Sequence, residues 1–243
     1  MTSHPSRTGC RREWIAVDGP AGAGKSSLAR ALAKALGYRY IDTGATYRAA
    51  ALAVLQAGVH PGDPASRSRI VDIVRRVRIR LGTDPRVDLP SRVFLDGRDV
   101  STSIRSLEVG QAASTIATIP EVRRVLAELQ RRMAEEGPCV MDGRDIGTVV
   151  LKEACVKLYV TASLEERARR RAKELQEIEG QVPVSLEEIE EQLAMRDQQD
   201  ATRQDAPLRA AEDAVTLDTT GQTPGEVLER ALAICRECLG DGG

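Results

Sequence analysis

Asparagine is absent from this chain of 243 residues, and lysine is scarce, with five lysines against 30 arginines. Without asparagine there is no N-glycosylation site, and the Asn-Lys-x-Asp element with which GTPases recognise guanine is also excluded. The arginine excess has two explanations that the sequence leaves open. Planar guanidinium groups suit phosphate recognition, and genome composition produces the same bias.

Long apolar runs and excess positive charge are also lacking. No segment approaches the roughly 18 consecutive apolar residues of a membrane span, and residues 1–12 lack the apolar centre of a signal peptide. The formal net charge of −1 removes the basic excess that is typical of nucleic-acid-binding proteins. We therefore expect a soluble, cytoplasmic, monomeric protein that binds neither a membrane nor nucleic acid.

Cysteine is sparse and scattered, and the five cysteines do not resemble the dense framework of a secreted disulfide domain. The one Cys-x-x-Cys element, Cys235-Arg-Glu-Cys238, has no second cysteine pair or histidine nearby. This spacing favours an ordinary helix face over zinc or redox chemistry.

The most informative feature is a glycine-rich segment that matches the phosphate-binding pattern G-x-x-x-x-G-K-[ST] in full. An apolar run, Trp14 to Val17, precedes it, and leucines recur at helical spacing behind it, an order that an accidental turn would not predict. We expect Lys25 to reach the outer phosphates of a nucleoside triphosphate and Ser26 to bind Mg²⁺. The predicted nucleotide-binding residues are Gly19, Pro20, Ala21, Gly22, Ala23, Gly24, Lys25, Ser26 and Ser27.

Strand-like and helical segments alternate along the chain, which predicts an α/β fold with a doubly wound parallel sheet. Residues 58–69 have the composition of a linker, and alternation over 76–81 with an Asp96-Gly97 turn predicts a small antiparallel sheet at about 62–101. Two helices are expected at 104–119 and 121–136. Capping boxes open three more helices near residues 163, 185 and 223, with a break at 179–183.

Polar residues follow the predicted strand at 139–142, and ligands of open α/β sheets gather at such carboxyl ends. We expect Asp142 to hold a magnesium-bound water, Arg144 to clamp a phosphate and Asp145 to accept a hydrogen bond from a base amine. A turn whose charges pair with each other is the alternative.

Two further sets of charged residues are candidates. Arg196, Asp200 and Arg203 fall at i, i+4 and i+7, so they share one helical face, which also suits an exposed row of ion pairs. Residues 167–171 contain four arginines, and phosphoryl transfer is accelerated by an arginine placed on the moving group. Arg170 is our first choice for this role and Arg171 the second.

Together these motifs resemble those of bacterial cytidylate kinases, members of the P-loop nucleoside monophosphate kinases, and the resemblance extends over residues 13–236. It rests on residues 19–27, Asp-Thr-Gly-Ala-Thr-Tyr-Arg at 42–48, Glu-Val-Gly-Gln-Ala-Ala-Ser at 108–114, Pro-Glu-Val-Arg at 120–123, Asp-Gly-Arg-Asp-Ile-Gly-Thr at 142–148 and Arg-Asp-Gln-Gln-Asp at 196–200.

The resemblance implies a five-stranded parallel sheet in a core of residues 13–61 and 138–238. An inserted monophosphate-binding subdomain would span 62–137, a helical lid about 165–203, and frayed termini 1–12 and 239–243. It implies transfer of the γ-phosphoryl group of ATP, with Mg²⁺, to CMP and dCMP. Two rivals are a kinase for another small acceptor such as UMP, and a nucleotide-binding module without catalysis.

The resemblance also implies a role for each matching residue. Arg48 and Arg144 would bind the acceptor phosphate, and Lys25, Arg144 and Arg170 would act in catalysis. The remaining substrate-binding residues implied are Thr43 and Tyr47 in the monophosphate site, Ser114, Arg123, Asp145 and Arg203 at the base, Arg196 and Asp200 at the ribose, and Asp142.

Overall fold

The computed structural model describes residues 10–82, 92–176, 185–203 and 205–239. Strands in these ranges are β1 Arg11–Asp18, β2 Arg39–Asp42, β3 Ile79–Leu81, β4 Val93–Leu95, β5 Arg98–Asp99, β6 Cys139–Asp142, β7 Ala154–Thr161 and β8 Val215–Asp218. Helices are α1 Lys25–Leu36, α2 Thr43–Gln56, α3 Arg67–Arg76, α4 Leu107–Ile116, α5 Pro120–Glu135, α6 Leu164–Gln176, α7 Leu186–Ala201 and α8 Pro224–Leu239.

Five strands form the central parallel sheet, as expected, and their order is β2-β6-β1-β7-β8. Successive residues of β1 alternate between two cores, because side chains of a strand point to opposite faces. Ile15 and Val17 pack with α1 and α8, whereas Trp14 and Ala16 pack on the side of α5. The sheet is therefore covered on both faces, and its carboxyl edge is left for loops.

A second, three-stranded antiparallel sheet, β3-β4-β5, forms where the small inserted sheet is predicted. Its hairpin turns at Asp96 and Gly97, whose φ angles of 49° and 84° are the left-handed values that a two-residue hairpin requires. Helices α2 to α5 share a large apolar core with this sheet.

The boundary of this region differs from the prediction. The expected linker at 58–69 ends in a short helical turn, and α3 then runs from Arg67 to Arg76 through the start of the expected strand. The face of α3 formed by Ile70, Val71 and Val74 is buried, as in an amphipathic helix. The alternation that predicted a strand begins at residue 76, the last residue of this helix. Only Ile79–Leu81 of that alternating run is a strand.

Helix starts follow the capping chemistry. Ser185 and Glu188 form a reciprocal capping box at α7, and Thr223 with Glu226 does the same at α8. Asp42 accepts a hydrogen bond from the Ala45 amide, and α2 therefore begins immediately after β2. The expected helix at 104–119 is shorter, since α4 begins after Ser106, and the expected break at 179–183 lies outside the described residues.

A disulfide joins Cys10, directly before β1, to Cys155 on β7. The cysteine spacing gave no sign of this bond, because its partners are 145 residues apart and meet through strand pairing. β1 begins at Arg11, within the segment expected to be frayed. None of the helices in the described ranges is long and apolar enough to cross a membrane.

Candidate active site

The glycine-rich loop, residues 19–24, connects β1 to α1 and wraps the amino end of that helix. Gly19, Gly22 and Gly24 have φ angles of 144°, 75° and 87°, which L side chains rarely adopt. A Cβ on Gly19 would lie 1.9 Å from the carbonyl oxygen of Val160 on β7. The loop therefore needs glycine for both conformation and space, and its amides with the helix end suit an anion.

Lys25 is 5% exposed, and its Nζ donates to the Pro20 carbonyl oxygen at 2.5 Å. Burial holds the pKa of Lys25 well below its usual value, and the nearby Arg144 acts in the same direction. Asp142 and Asp18 oppose this shift. A desolvated ammonium group at the loop gains a strong partner when a triphosphate binds.

Asp142, the last residue of β6, is 4% exposed and accepts two side-chain hydrogen bonds. Ser26 Oγ donates to Oδ2 at 2.6 Å, and Tyr40 Oη donates to Oδ1 at 2.9 Å. Burial and the charge of Asp42 raise the pKa of Asp142, whereas the Ser26 hydrogen bond lowers it. A serine hydroxyl and a carboxylate form the oxygen pair that holds Mg²⁺ in P-loop enzymes.

Thr43 and Gly143 complete this strand end. Thr43 donates its hydroxyl hydrogen to the Asp142 carbonyl oxygen at 2.6 Å. A Cβ on Gly143 would come within 2.7 Å of the Thr43 hydroxyl oxygen, so only glycine fits beside it. This contact holds the start of α2 against the end of β6.

Asp18 is a buried residue that the sequence analysis did not single out. It is 4% exposed, and its carboxylate accepts hydrogen bonds from the amides of Ile146 at 2.8 Å and Gly147 at 2.7 Å. Burial raises the pKa of Asp18 to about 7 despite these bonds. A carboxylate that ends a buried strand directly before the glycine loop was the available signal.

Asp145 and Arg123 form an ion pair of 2.7 Å with 12% and 7% of their side chains exposed. Burial raises the pKa of Asp145, although Arg123 and Arg203 oppose the shift. Tyr47 lies in the electrostatic neighbourhood of both members of the pair, and burial raises its pKa above the usual value. One cleft is therefore formed by three elements: α5, α2 and the turn that follows β6.

Asp200 on α7 is 2% exposed and pairs with two arginines. Arg144 Nε donates to it at 2.9 Å, and Arg203, just past the end of the helix, donates to its other oxygen. Arg144 and Asp145 thus find partners on other elements, which does not fit a self-paired turn. The buried Asp200 also does not fit an exposed row of ion pairs on one helix.

Arg196 lies on the same helix as Asp200. Loss of solvent around its guanidinium group, with Arg144 nearby, lowers the pKa of Arg196 to about 10, although the residue as a whole is exposed.

Two other predicted site residues lie on α2 and α4. Arg48 on α2 pairs with Asp42 at 3.3 Å, and Ser114 is half-buried on α4.

Several guanidinium groups in this cleft retain unused donors. Within the described ranges, Nε of Arg48, of Arg123 and of Arg203 is buried and has no hydrogen-bond acceptor. Buried polar groups are nearly always satisfied, so these donors are available to an anionic or carbonyl-bearing ligand.

The arginines of α6 divide into two groups. Arg170 donates to both oxygens of Thr219, at 2.9 and 2.8 Å, and to the Ala23 carbonyl oxygen of the glycine loop at 3.4 Å. Arg167, which we did not choose, is 7% exposed and donates to the Ala21 carbonyl oxygen at 3.1 Å. Arg169 and Arg171 form exposed ion pairs within α6.

A parallel sheet with a phosphate-binding loop at its carboxyl edge, and an arginine-lined cleft beside that loop, defines the class of P-loop phosphotransferases.

Comparison with known proteins narrows the class. The family model of cytidylate kinases matches residues 15–237. The chain is 48% identical over 223 residues to a cytidylate kinase of Caldanaerobacter subterraneus subsp. tengcongensis, covering 92% of this chain and 94% of that protein. It is 44% identical over 228 residues to a cytidylate kinase of Limosilactobacillus reuteri, covering 94% and 97%. The chain therefore belongs to the cytidylate kinase family and is an enzyme of phosphoryl transfer.

A longer relative contains the same unit. Over 230 residues the chain is 45% identical to a bifunctional pantoate ligase/cytidylate kinase of Gloeobacter violaceus. The match covers 95% of this chain but 44% of that protein.

Proposed function

We propose that this chain transfers the γ-phosphoryl group of ATP to the 5′-phosphate of CMP, and of dCMP, giving ADP and the cytidine diphosphate. The observation that carries the proposal is the cleft around Asp145, in which Arg48, Arg123 and Arg203 retain buried donors, together with a complete phosphate-binding loop. The family match favours cytidine monophosphate over the UMP alternative.

The triphosphate would lie against residues 19–27 with Lys25 at its outer phosphates. The residues present fit Mg²⁺, because the Ser26 hydroxyl is a hard oxygen ligand and lies 2.6 Å from the Asp142 carboxylate, which would hold a magnesium-bound water. When bound, the ion neutralises charge on the β- and γ-phosphates.

For the acceptor, we assign the phosphate to Arg48 and Arg144, and the base to Asp145, Arg123 and Ser114. A carboxylate that accepts the 4-amino hydrogen bond of cytosine would face the carbonyl oxygen of uracil unfavourably. Arg203 is assigned to the base side as well, Arg196 and Asp200 to the ribose, and Thr43 and Tyr47 line the site. In this scheme residues 62–137 bind the monophosphate, and residues 165–203 act as the lid.

The chemistry needs no general base, since the second pKa of a phosphate monoester is about 6 and the attacking oxygen is already ionised near neutral pH. A bond forms between this oxygen and the γ-phosphorus while the bond to the β-γ bridging oxygen breaks, and ADP leaves with that electron pair. Lys25, Arg144 and Arg170 align the two nucleotides and offset charge on the moving group.

ADP release, measured with CMP, dCMP, UMP, AMP and shikimate as acceptors, tests the proposal. We expect turnover with CMP and dCMP well above that with the others. Preferred turnover of a non-cytidine acceptor, or ATP binding without CMP-dependent ADP release, would refute it.

A further inference from the structure

Tyr40 contacts the proposed metal site without belonging to any motif that predicts the site. Its hydroxyl donates to Asp142 Oδ1 at 2.9 Å, while Ser26 donates to Oδ2 of the same carboxylate at 2.6 Å. Both oxygens of Asp142 are therefore held, one by the proposed magnesium ligand and the other by a tyrosine 102 residues away in sequence.

The sheet explains how the tyrosine reaches this carboxylate. β2 and β6 run parallel with Tyr40 opposite Val140, so Asp142 lies two residues further towards the carboxyl edge. The ring of Tyr40 is 6% exposed, and the guanidinium carbon of Arg30 lies 5.5 Å from its centroid. Burial in the core beside α1, together with this contact, limits the positions that the hydroxyl can adopt.

The hydroxyl has only one useful role beside a carboxylate, which is to donate its hydrogen. The distance of 2.9 Å from Tyr40 Oη to Asp142 Oδ1 is an ordinary hydrogen-bond distance for this donation. Removing the hydroxyl would leave Oδ1 buried and without this donor, and the carboxylate would be free to rotate away from Ser26.

We infer that Tyr40 is a positioning residue for magnesium: by fixing Oδ1 of Asp142 it aims the other carboxylate oxygen at Ser26 and at the ion. Tyr40 contacts the carboxylate and is not among the residues assigned to either nucleotide, so its effect should depend on the metal. This inference rests on the proposed function, in which Ser26 and Asp142 hold Mg²⁺. Outer partners of metal ligands typically change metal affinity or activity by about 10- to 100-fold.

The test compares Tyr40→Phe, which loses only the hydroxyl oxygen, with wild type and with Tyr38→Phe. Tyr38 is two residues away and packs on the face of α1 and α8, so it controls for loss of a tyrosine hydroxyl elsewhere. Calorimetry gives the affinity of each protein for a non-hydrolysable ATP analogue with and without Mg²⁺, and steady-state kinetics give KM for CMP.

For wild type and Tyr38→Phe we expect Mg²⁺ to increase affinity for the analogue by the same factor. In Tyr40→Phe this gain should shrink about tenfold, with metal-free affinity and KM for CMP unchanged. Half-maximal turnover should then require more Mg²⁺.

An undiminished gain in Tyr40→Phe would show that the hydroxyl serves only the core, and equal loss with and without metal would show that it shapes the phosphate loop. Either result overturns the inference and leaves the proposed function intact. A wild-type protein that gains nothing from Mg²⁺ would overturn the metal role of Ser26 itself, and this inference with it.

Discussion

Replacement of Asp145 by asparagine separates the base-reading role of this carboxylate from its structural role. Asp145 pairs with Arg123 at 2.7 Å, and the two side chains are 12% and 7% exposed. Asparagine keeps the shape and one acceptor oxygen but removes the charge, so Arg123 loses its counterion inside the cleft.

Both effects have an expected size. Removing one partner of a buried ion pair costs about 3–5 kcal/mol, and the lower end applies because burial already raises the pKa of Asp145 and disfavours its charge. At about 2–4 °C per kcal/mol for a chain of this length, a loss of about 3 kcal/mol should lower the melting temperature by about 6–12 °C. The preference for CMP over UMP in kcat/KM should fall by about 5- to 160-fold, since a mismatched buried hydrogen bond costs about 1–3 kcal/mol.

Thermal unfolding and kcat/KM with both monophosphates measure the two effects. Asp213→Asn is the matched control, because Asp213 pairs at 3.0 Å with the buried Lys157 and neither residue is assigned to a nucleotide. The control should lose stability and keep its preference for CMP. If Asp145→Asn also loses stability but selects CMP as strongly as wild type, Asp145 does not read the base.

Three other variants test the phosphate side and the buried carboxylate. Lys25→Met should lower kcat by about 10² or more. It should not lower the melting temperature, since burial disfavours the charge that is removed. Lys34→Met, on the same helix, is the control and should behave as wild type. Arg170→Ala should lower kcat by about 10³, whereas Arg171→Ala, which loses an exposed ion pair, should change little. In wild type, the stability contributed by Asp18 should be complete below pH 4 and be lost as the pH rises to about 7, because the pKa of Asp18 is higher in the folded than in the unfolded protein. In Asp18→Asn, the free energy of unfolding from chemical denaturation should no longer fall over this pH range.

Each of these variants also has an outcome that would count against the assignments. Near-normal turnover of Lys25→Met would remove the lysine from the reaction. Equal losses in the Arg170 and Arg171 variants would mean that the loop contact of Arg170 has no special role. An Asp18→Asn protein whose stability follows the wild-type curve from pH 4 to 7 would show that Asp18 titrates normally.

The central sheet and the phosphate loop were predictable because their signals are local. Amphipathic spacing, capping boxes and glycines at fixed offsets each act within a few residues, and each produced the expected element. Helix α3 was missed, because residues 58–69 have the composition of a linker and about 62–101 was expected to be a small sheet, whereas packing of Ile70 and Val74 favours a helix.

Side-chain partners in the cleft were not predictable, because they depend on the order of strands and not on spacing. Arg144 pairs with Asp200 across 56 residues, and Tyr40 reaches Asp142 only because β2 lies beside β6. In the sequence, Arg167 and Arg170 are indistinguishable from their neighbours Arg169 and Arg171. In the structure, contact with the glycine loop separates the first two from the other two.

Local sequence is enough to predict that the chain builds a phosphate cradle on a parallel sheet, since glycine conformations and helix periodicity are properties of neighbouring residues. Which carboxylate each arginine meets, and which donors stay unused, depends on contacts between residues far apart in the chain. Burial determines these pairings, because a charge that is removed from water is destabilising unless it pairs with a residue that folding brings close.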